Sequence, residues 1–563
     1  MTEERISYYI KQLDSNFKSD IISIERTYPD KVFVGIRKDA LLKICSYIFW
    51  ELGGFLSTMS VSDMRKINGS FRLDYVFSIE EKEESSSPKP WIIVYTMIPG
   101  NNPRFQSVTP ELPAANWYER EAKDLFGVIP EGHPDPRKLI LPDDWPDGIY
   151  PLRKDMDYTI RPGEVKPAEY KWPKEEGITT YIAGPIHIMA DEPGQFRIYL
   201  DGEIVVDLDY RFSYAHRGVE KLGEARLTYN QVPFLAERIC GICGFVHSTS
   251  YVQAIEEAMK IDVPERAKYI RTIMLEIERA TSHLLWLGLA SHLAAFDWGF
   301  MQLWKVRERL MNLAEVLTGA RKTYGINVVG GVRRDIIEER RKKSLEILKK
   351  TEVELKDIGE TVLKTSTLLK RMEGIGVLPK DVARTLNVVG PVARGSGLYR
   401  DVRKDHPYAA YRELSFKIPL YTEGDILARF LVRYEETFES LSIIEQALDR
   451  LPNGPIFEEV KEVEAYRPAI GAVEAPRGEV VHFAIIGEDS KIYRWRVRAP
   501  TYSNWPSVPY MSRGYTLADV PLIVASIDPC YSCTERVEVV DVRTKRVEVV
   551  EYEEIIKRSK KGV

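Results

Sequence analysis

The stretch AERICGICGFVHSTSYVQA, Ala236 to Ala254, carries a Cys-x-x-Cys at Cys240 and Cys243. Near the other end SIDPCYSCTERVEVVD, Ser526 to Asp541, repeats that spacing at Cys530 and Cys533, and the pairs lie 290 positions apart from Cys240 to Cys530. Alone, one such pair reads as a redox couple or half a zinc site. Two matched pairs point instead to a shared four-thiolate metal site. In a zinc ribbon the halves stand ~15 to 20 residues apart, because the metal staples a small fold. Here they bracket a large helical stretch that needs no staple. Thiolates gathered across a core suit a soft or borderline metal such as nickel or iron, and two metals in one site would have to share sulfurs. Arg238 before the first pair and Arg536 after the second are cations that would keep the thiols ionised. His247, one helical turn after Cys243, is placed to hydrogen-bond the site rather than ligate it, or else is a plain core histidine.

The fifth cysteine, Cys45, lies in LLKICSYIFWEL, an apolar helical pattern that makes it an inert core thiol. A chain of 563 residues exceeds one core and predicts at least two domains. Net charge is only −5 with 29% charged residues of alternating sign, which excludes a nucleic-acid face. The opening MTEERISYYIKQLDSNF has no apolar core behind a basic head, so no signal peptide is expected. No apolar run reaches the ~18 residues of a bilayer span; HLLWLGLASHLAAF, His283 to Phe296, reads as a buried helix. The expected location is cytoplasmic, with membrane contact only through partners.

The predicted fold class is α+β multidomain. Strand-like KVFVGI (Lys31–Ile36), helical DALLKICSYIFWELGG (Asp39–Gly54) and strand-like FRLDYVFSI (Phe71–Ile79) and WIIVYTMI (Trp91–Ile98) make a small N-terminal α+β domain, residues 1–160. The polar run Glu80–Pro90 reads as a hairpin tip or loop. From Asn116 to Asp155 a short helix leads into a Pro- and Gly-punctuated segment of the kind that lies along another domain or subunit. The Pro/Lys/Glu-rich 161–177 is the expected linker. Beyond it, 178–536 opens with strands (Thr180–Ile188, Gln195–Phe212), turns helical over Val263–Ala320 and Arg334–Met372, and returns to strands at Glu479–Gly487 and Lys491–Pro500. It is expected to be mainly α-helical with peripheral β-structure.

With these residues in place, the chain resembles the large subunits of NiFe hydrogenases. The resemblance rests on Glu237-Arg238-Ile239-Cys240-Gly241-Ile242-Cys243 paired with Asp528-Pro529-Cys530-Tyr531-Ser532-Cys533-Thr534-Glu535-Arg536. YAHRGVEKL (Tyr214–Leu222), ERATSHLLWLG (Glu278–Gly288), LTGAR (Leu317–Arg321) and EAPRGE (Glu474–Glu479) resemble the branch shared by membrane-associated, energy-converting hydrogenases and the 49-kDa subunit of complex I. Residues 116–155 resemble its 30-kDa neighbour, a fusion typical of formate-hydrogenlyase-type enzymes. Together these features span roughly residues 30–545.

The resemblance implies that Cys240 and Cys530 bind nickel terminally and that Cys243 and Cys533 bridge nickel to an iron carrying carbon monoxide and cyanide. Heterolytic cleavage of dihydrogen then needs a base, which a terminal thiolate (Cys530) or a nearby carboxylate supplies. Glu192 in ADEPGQFRI sits where hydrogenases place their proton-transfer glutamate; on its residues alone it is a loop carboxylate. Arg477, otherwise a turn residue, becomes the arginine over the iron, and Thr501, otherwise a strand end, the second hydrogen-bond donor to cyanide. Counting leaves no cysteines for an iron–sulfur cluster in this chain, so a separate iron–sulfur subunit must carry electrons. The further partners implied are membrane subunits of an ion-translocating complex, formate dehydrogenase or ferredoxin as electron source, and a maturation endopeptidase. That peptidase is expected to cut between Arg536 and Val537, releasing 537–563 after nickel insertion. The rival reading, a metal-free quinone-pocket module of complex I type, fails on the four cysteines, and of the histidines of its quinone loop only His187 is present.

Overall fold

The computed structural model describes residues 2–80, 89–142, 145–157, 177–186, 192–212, 214–459, 465–488 and 490–534. Four sequence expectations fall outside these: the loop at 80–90 in its greater part, the linker at 161–177 apart from Gly177, His187, and everything after Thr534, including Arg536 and the expected cleavage point.

The chain begins with helix α1 (Thr2–Phe17). A five-stranded sheet follows, built from β1 (Ile21–Tyr28), β2 (Lys31–Ile36), β3 (Gly54–Met64), β4 (Ser70–Ile79) and β5 (Trp91–Pro99) in the order β1-β2-β5-β4-β3. Only β2 and β5 run parallel. Between β2 and β3, α2 (Leu41–Trp50) buries Leu41, Ile44, Cys45, Ile48 and Phe49. That i, i+3, i+4, i+7, i+8 stripe is what a helix lying on a sheet requires, and it places Cys45 in the core. Strand β3, GFLSTMSVSDM, gave no sequence signal. Its Ser57, Ser60 and Ser62 are as buried as its apolar residues, because both of its faces and its open edge are covered.

Helix α3 (Asn116–Phe126) leads into the Pro-rich segment. Asp124 accepts the N–H groups of Leu139, Ile140 and Leu141 at 2.7, 2.9 and 3.3 Å. From the opposite side Arg211 donates to the carbonyls of Lys138, Leu139 and Leu141. Arg211 ends β8 of a three-stranded sheet, β6 (Thr179–Ala183), β7 (Gln195–Asp201) and β8 (Ile204–Arg211). An extended chain without a ladder partner thus has its backbone groups satisfied by one anion and one cation, and it lies along the C-terminal region as its composition predicts.

The C-terminal region is largely helical. After α4 (Val219–Arg226) come α5 (Gly244–Ala258), α6 (Glu265–Leu293), α7 (Asp297–Thr318), α8 (Glu338–Lys364) and α9 (Ile426–Asp449), with α6 packed between α7 and α9. Among the described residues no helix is long and apolar enough to cross a membrane. A peripheral antiparallel sheet, β9 (Pro468–Ala475), β10 (Gly478–Ile486) and β11 (Ile492–Arg498), supports α5. Between the helices and this sheet runs a buried ionic network. Arg394 meets Glu436 at 2.7 Å and Glu474 at 2.8 Å, while Arg403 meets Asp401 at 2.7 Å and Glu276 at 3.3 Å.

Strand β11 joins the two regions. Arg494, Arg496 and Arg498 alternate along it, and their Nε atoms donate to the carbonyls of Val61, Met59 and Ser57 at 2.7, 3.2 and 2.6 Å. These carbonyls belong to β3, the outer strand of the N-terminal sheet. The period of two on both strands keeps the three contacts in step. The guanidiniums are neutralised in turn by Glu220 and Glu224 on Arg494, Glu121 on Arg496 and Glu479 on Arg498. An edge that would otherwise present free carbonyls is closed by side chains.

Removing one member of a buried ion pair costs about 3–5 kcal/mol because its partner stays buried and uncompensated. Arg496→Ala is therefore expected to lower the unfolding temperature and to expose the N-terminal region to limited proteolysis at temperatures the native chain survives. Unchanged melting and cleavage would contradict the role of the ladder.

Candidate metal centre

The four thiols meet. Cys240 Sγ lies 3.5 Å from Cys530 Sγ, Cys243 Sγ lies 3.9 Å from Cys533 Sγ, and Cys530 and Cys533 are 2.8 Å apart. All are free thiols and at most 4% exposed. Two sulfurs on one tetrahedral metal, each at about 2.3 Å, stand roughly 3.8 Å apart; the two cross-motif pairs fit that spacing and the Cys530–Cys533 pair is tighter. Ligand atoms of Cys240, Cys530 and Cys533 lie within 4.8 Å of one another, as do those of Cys243, His247 and Cys533, so two donor groups overlap at Cys533. A buried donor set dominated by sulfur fits a soft or borderline metal.

The first motif is a turn at the head of α5. The N–H groups of Ile242 and Cys243 donate to Cys240 Sγ at 3.3 and 3.2 Å. The turn closes because Gly244 has no side chain: a Cβ there would stand 2.3 Å from the Glu237 carbonyl. Glu278 on α6 takes the free first-turn N–H groups of Phe245 and Val246 at 3.1 and 2.9 Å, so α5 is capped by a carboxylate from another helix. Burial pushes Glu278 up to about 7 against the opposing charge of Lys322. Lys322 Nζ donates to the Ile242 carbonyl at 3.0 Å.

Four separate elements hold the second motif, the short helix α11 (Tyr531–Thr534) and the residues before it. Thr501 Oγ1 accepts the Cys530 N–H at 3.2 Å. Glu192 Oε2 accepts the Ser532 N–H at 2.9 Å, and its other oxygen accepts the Ser532 hydroxyl. Arg477, in the β9–β10 turn, donates from Nε to the Asp528 carbonyl at 2.6 Å and from Nη2 to Asp528 Oδ1 at 2.7 Å, with Ser282 Oγ 3.5 Å from Nη1. Asp528 Oδ2 is buried without a hydrogen-bond partner among the described residues. Arg217 donates to the carbonyls of Arg238 (2.7 Å) and Ile239 (2.5 Å) in the first motif and of Ser532 (3.0 Å) in the second. Gly194 leaves room for this approach, since a Cβ there would meet the Tyr531 ring at 2.4 Å.

Charge is distributed accordingly. Burial alone would lower Arg477, but Asp528 and the cysteines hold it well above its ordinary value. Cys240 is held well below the usual thiol range by hydrogen bonds from the other three cysteines. Cys530 is pushed up, first by its hydrogen bond to Cys240, then by burial and the charges of Cys240 and Glu192.

Several sequence readings are thereby adjusted. Glu192, Arg477, Thr501 and His247 all lie at the two cysteine motifs. Thr501, however, sits in the first turn of a short helix, α10 (Pro500–Asn504), rather than at a strand end. Arg238 is exposed and turns its guanidinium to the Phe234 carbonyl; Arg477 and Lys322 are the cations whose charge bears on the thiols. Glu237 takes the Gly325 N–H and the Ser248 hydroxyl. Arg217, Glu278, Lys322 and Asp528 were not singled out, although Arg217 lies inside one of the motifs quoted above and Glu278 and Asp528 open two others. Their partners are mainly backbone groups, which leave no trace in side-chain patterns.

Fold and site together define a large, mainly helical subunit whose clustered buried thiols could hold a metal. Sequence profiles agree. Residues 217–323 match the family described as nickel-dependent hydrogenase. Residues 296–469 and 464–536 match the 49 Kd subunit of respiratory-chain NADH dehydrogenase, and 34–162 its 30 Kd subunit. Formate hydrogenlyase subunit 5 of Escherichia coli is 45% identical over 99% of this chain and 98% of its own length. Hydrogenase-4 component G of the same organism is 44% identical over 96% and 95%. A chain in the structure of the membrane-bound sulfane sulfur reductase, an archaeal respiratory membrane complex, is 34% identical with a TM-score of 0.61, covering 65% of this chain and all of that one. The chain belongs to the NiFe-hydrogenase/formate-hydrogenlyase large-subunit family, with a complex I 30-kDa-like region fused at its N-terminus.

Arg217 ties both motifs together, and partners outside the ligand set commonly change metal affinity 10- to 100-fold. Arg217→Ala is expected to lower metal retained per chain by about 10-fold on dialysis against a chelator, measured by mass spectrometry of the elements. Full retention would contradict the clamp.

Proposed function

We propose that this chain is the catalytic subunit of a membrane-associated NiFe hydrogenase that evolves dihydrogen from protons with electrons from a partner iron–sulfur subunit. The observation that carries this reading is the convergence of four buried thiols from two distant motifs, with Arg477 and Glu192 at their side. Cys240 and Cys530 would hold nickel, and Cys243 and Cys533, the other cross-motif pair, would be shared with iron. When bound, such a centre supplies the reversible interconversion of dihydrogen with two protons and two electrons.

The chain's own residues do the rest. Arg477, kept charged by Asp528, presents its guanidinium beside the thiols, where it would stabilise negative charge and donate to a cyanide on the iron. Thr501, which holds the Cys530 backbone, would supply the second such bond. His247 would donate to the shared sulfurs. Glu192 is half-buried, between Ser532 and the exterior, and would take a proton from Cys530 Sγ and pass it outward.

Electrons need a partner, since four of the five cysteines would form the centre and Cys45 is buried on α2 in the N-terminal region. The relative named formate hydrogenlyase supports a formate-linked complex, and the archaeal respiratory membrane complex supports attachment through membrane subunits. A metal-free quinone module shares the frame but leaves the four thiols without a task.

Glu192→Gln is expected to cut dihydrogen evolution from a reduced viologen dye by about 10²-fold or more, the range of general acid–base groups, with metal content unchanged. Near-native rates would reject Glu192 as the proton group. Absence of nickel from the native complex would reject the reading as a whole.

A further inference from the structure

Strand β11 has a second face. Between Arg494 and Arg496, Trp495 points away from the N-terminal sheet, is fully buried, and donates from its indole Nε1 to His482 Nδ1 at 3.1 Å. His482 lies on β10, diagonal to Trp495 in a register that pairs Ala484 with Trp495 and His482 with Val497. Its Nε2 is 3.1 Å from Nδ1 of His247. His247 in turn holds a ring nitrogen within 4.8 Å of the sulfurs of Cys243 and Cys533. All three rings are fully buried.

This chain has a direction. An indole N–H can only donate, so His482 Nδ1 must accept and the ring must carry its proton on Nε2. That proton is donated to His247 Nδ1, which leaves His247 protonated on Nε2. We propose that Trp495 and His482 are positioning residues which fix His247 in the Nε2–H form, so that it donates a hydrogen bond to the shared sulfurs of Cys243 and Cys533. Neither residue touches the centre. The inference rests on the hydrogenase reading above, and it adds that the tautomer of the histidine nearest the shared sulfurs is set from β11, the strand whose other face grips the N-terminal sheet.

A hydrogen bond donated to a thiolate withdraws electron density from the metal, and such bonds tune potentials at sulfur-ligated centres. Three variants of the whole complex separate direction from packing. Trp495→Phe keeps an aromatic ring but removes the donor. His482→Leu breaks the chain. His482→Gln restores its sense, because the amide oxygen can accept from Trp495 while the amide nitrogen donates to His247. The readout is the position of the infrared bands of iron-bound carbon monoxide and cyanide, with the midpoint potential of the centre.

Trp495→Phe and His482→Leu are expected to shift the bands to lower wavenumber and the potential downward, while His482→Gln stays near the native values. Native bands and potential in all three variants would overturn the proposal. So would a His482→Gln variant that shifts as far as His482→Leu, or that loses the centre along with the other two, because packing would then explain the effect. Missing bands in the native complex would remove the hydrogenase reading itself, an outcome distinct from all of these.

Discussion

The site depends on holding one short peptide, Asp528–Thr534, against the turn at Cys240–Cys243. Thiolates gathered at 2.8 to 3.9 Å repel one another once ionised, and ordering this segment costs conformational entropy at each residue. Against this stand Thr501, Glu192, Arg477 and Arg217, each from a different element, and nearly all of their bonds go to backbone groups or to Asp528. The arrangement needs no prior contact between the sulfurs. It prepares a cradle whose sulfur geometry a metal can complete.

The frame behind the cradle explains why so small a site sits in so large a chain. Helix α5 brings Cys243 and His247, and its free N–H groups are capped by Glu278 of α6. Sheet β9-β10-β11 supplies Arg477 at one turn and His482 within a strand, while the arginines of β11 fasten the same sheet to the N-terminal region. Among the described residues the N-terminal sheet contributes no side chain to the thiol cluster, yet it grips the strand that carries Trp495. Docking and chemistry meet on one strand because successive side chains of a strand point to opposite faces.

Much of this was legible in the sequence. Spacing and family resemblance pick out the cysteines, Arg477, Glu192, Thr501 and His247, which the fold brings to one place, and alternation picks out the strands β10 and β11. Strand β3 was not legible, because its buried serines mimic a loop; only the arginines covering its edge make those positions interior. Arg238 misled, since adjacency in sequence to Cys240 does not set where a long side chain turns. Arg217 and Glu278 were hidden for a further reason: carbonyl and N–H partners are present at nearly every residue. The network of Arg394, Arg403, Glu276 and Glu436 looks in sequence like ordinary surface charge, and tertiary packing alone buries it.

The central claim is that these four thiols hold a nickel–iron centre. The most direct measurement is an infrared spectrum of the complex purified from its native host, in the window where metal-bound carbon monoxide and cyanide absorb, with the chain's intact mass determined on the same sample. The account predicts those bands in protein that has lost residues 537–563. A spectrum without them, in protein whose mass establishes that this segment has been removed, would contradict it.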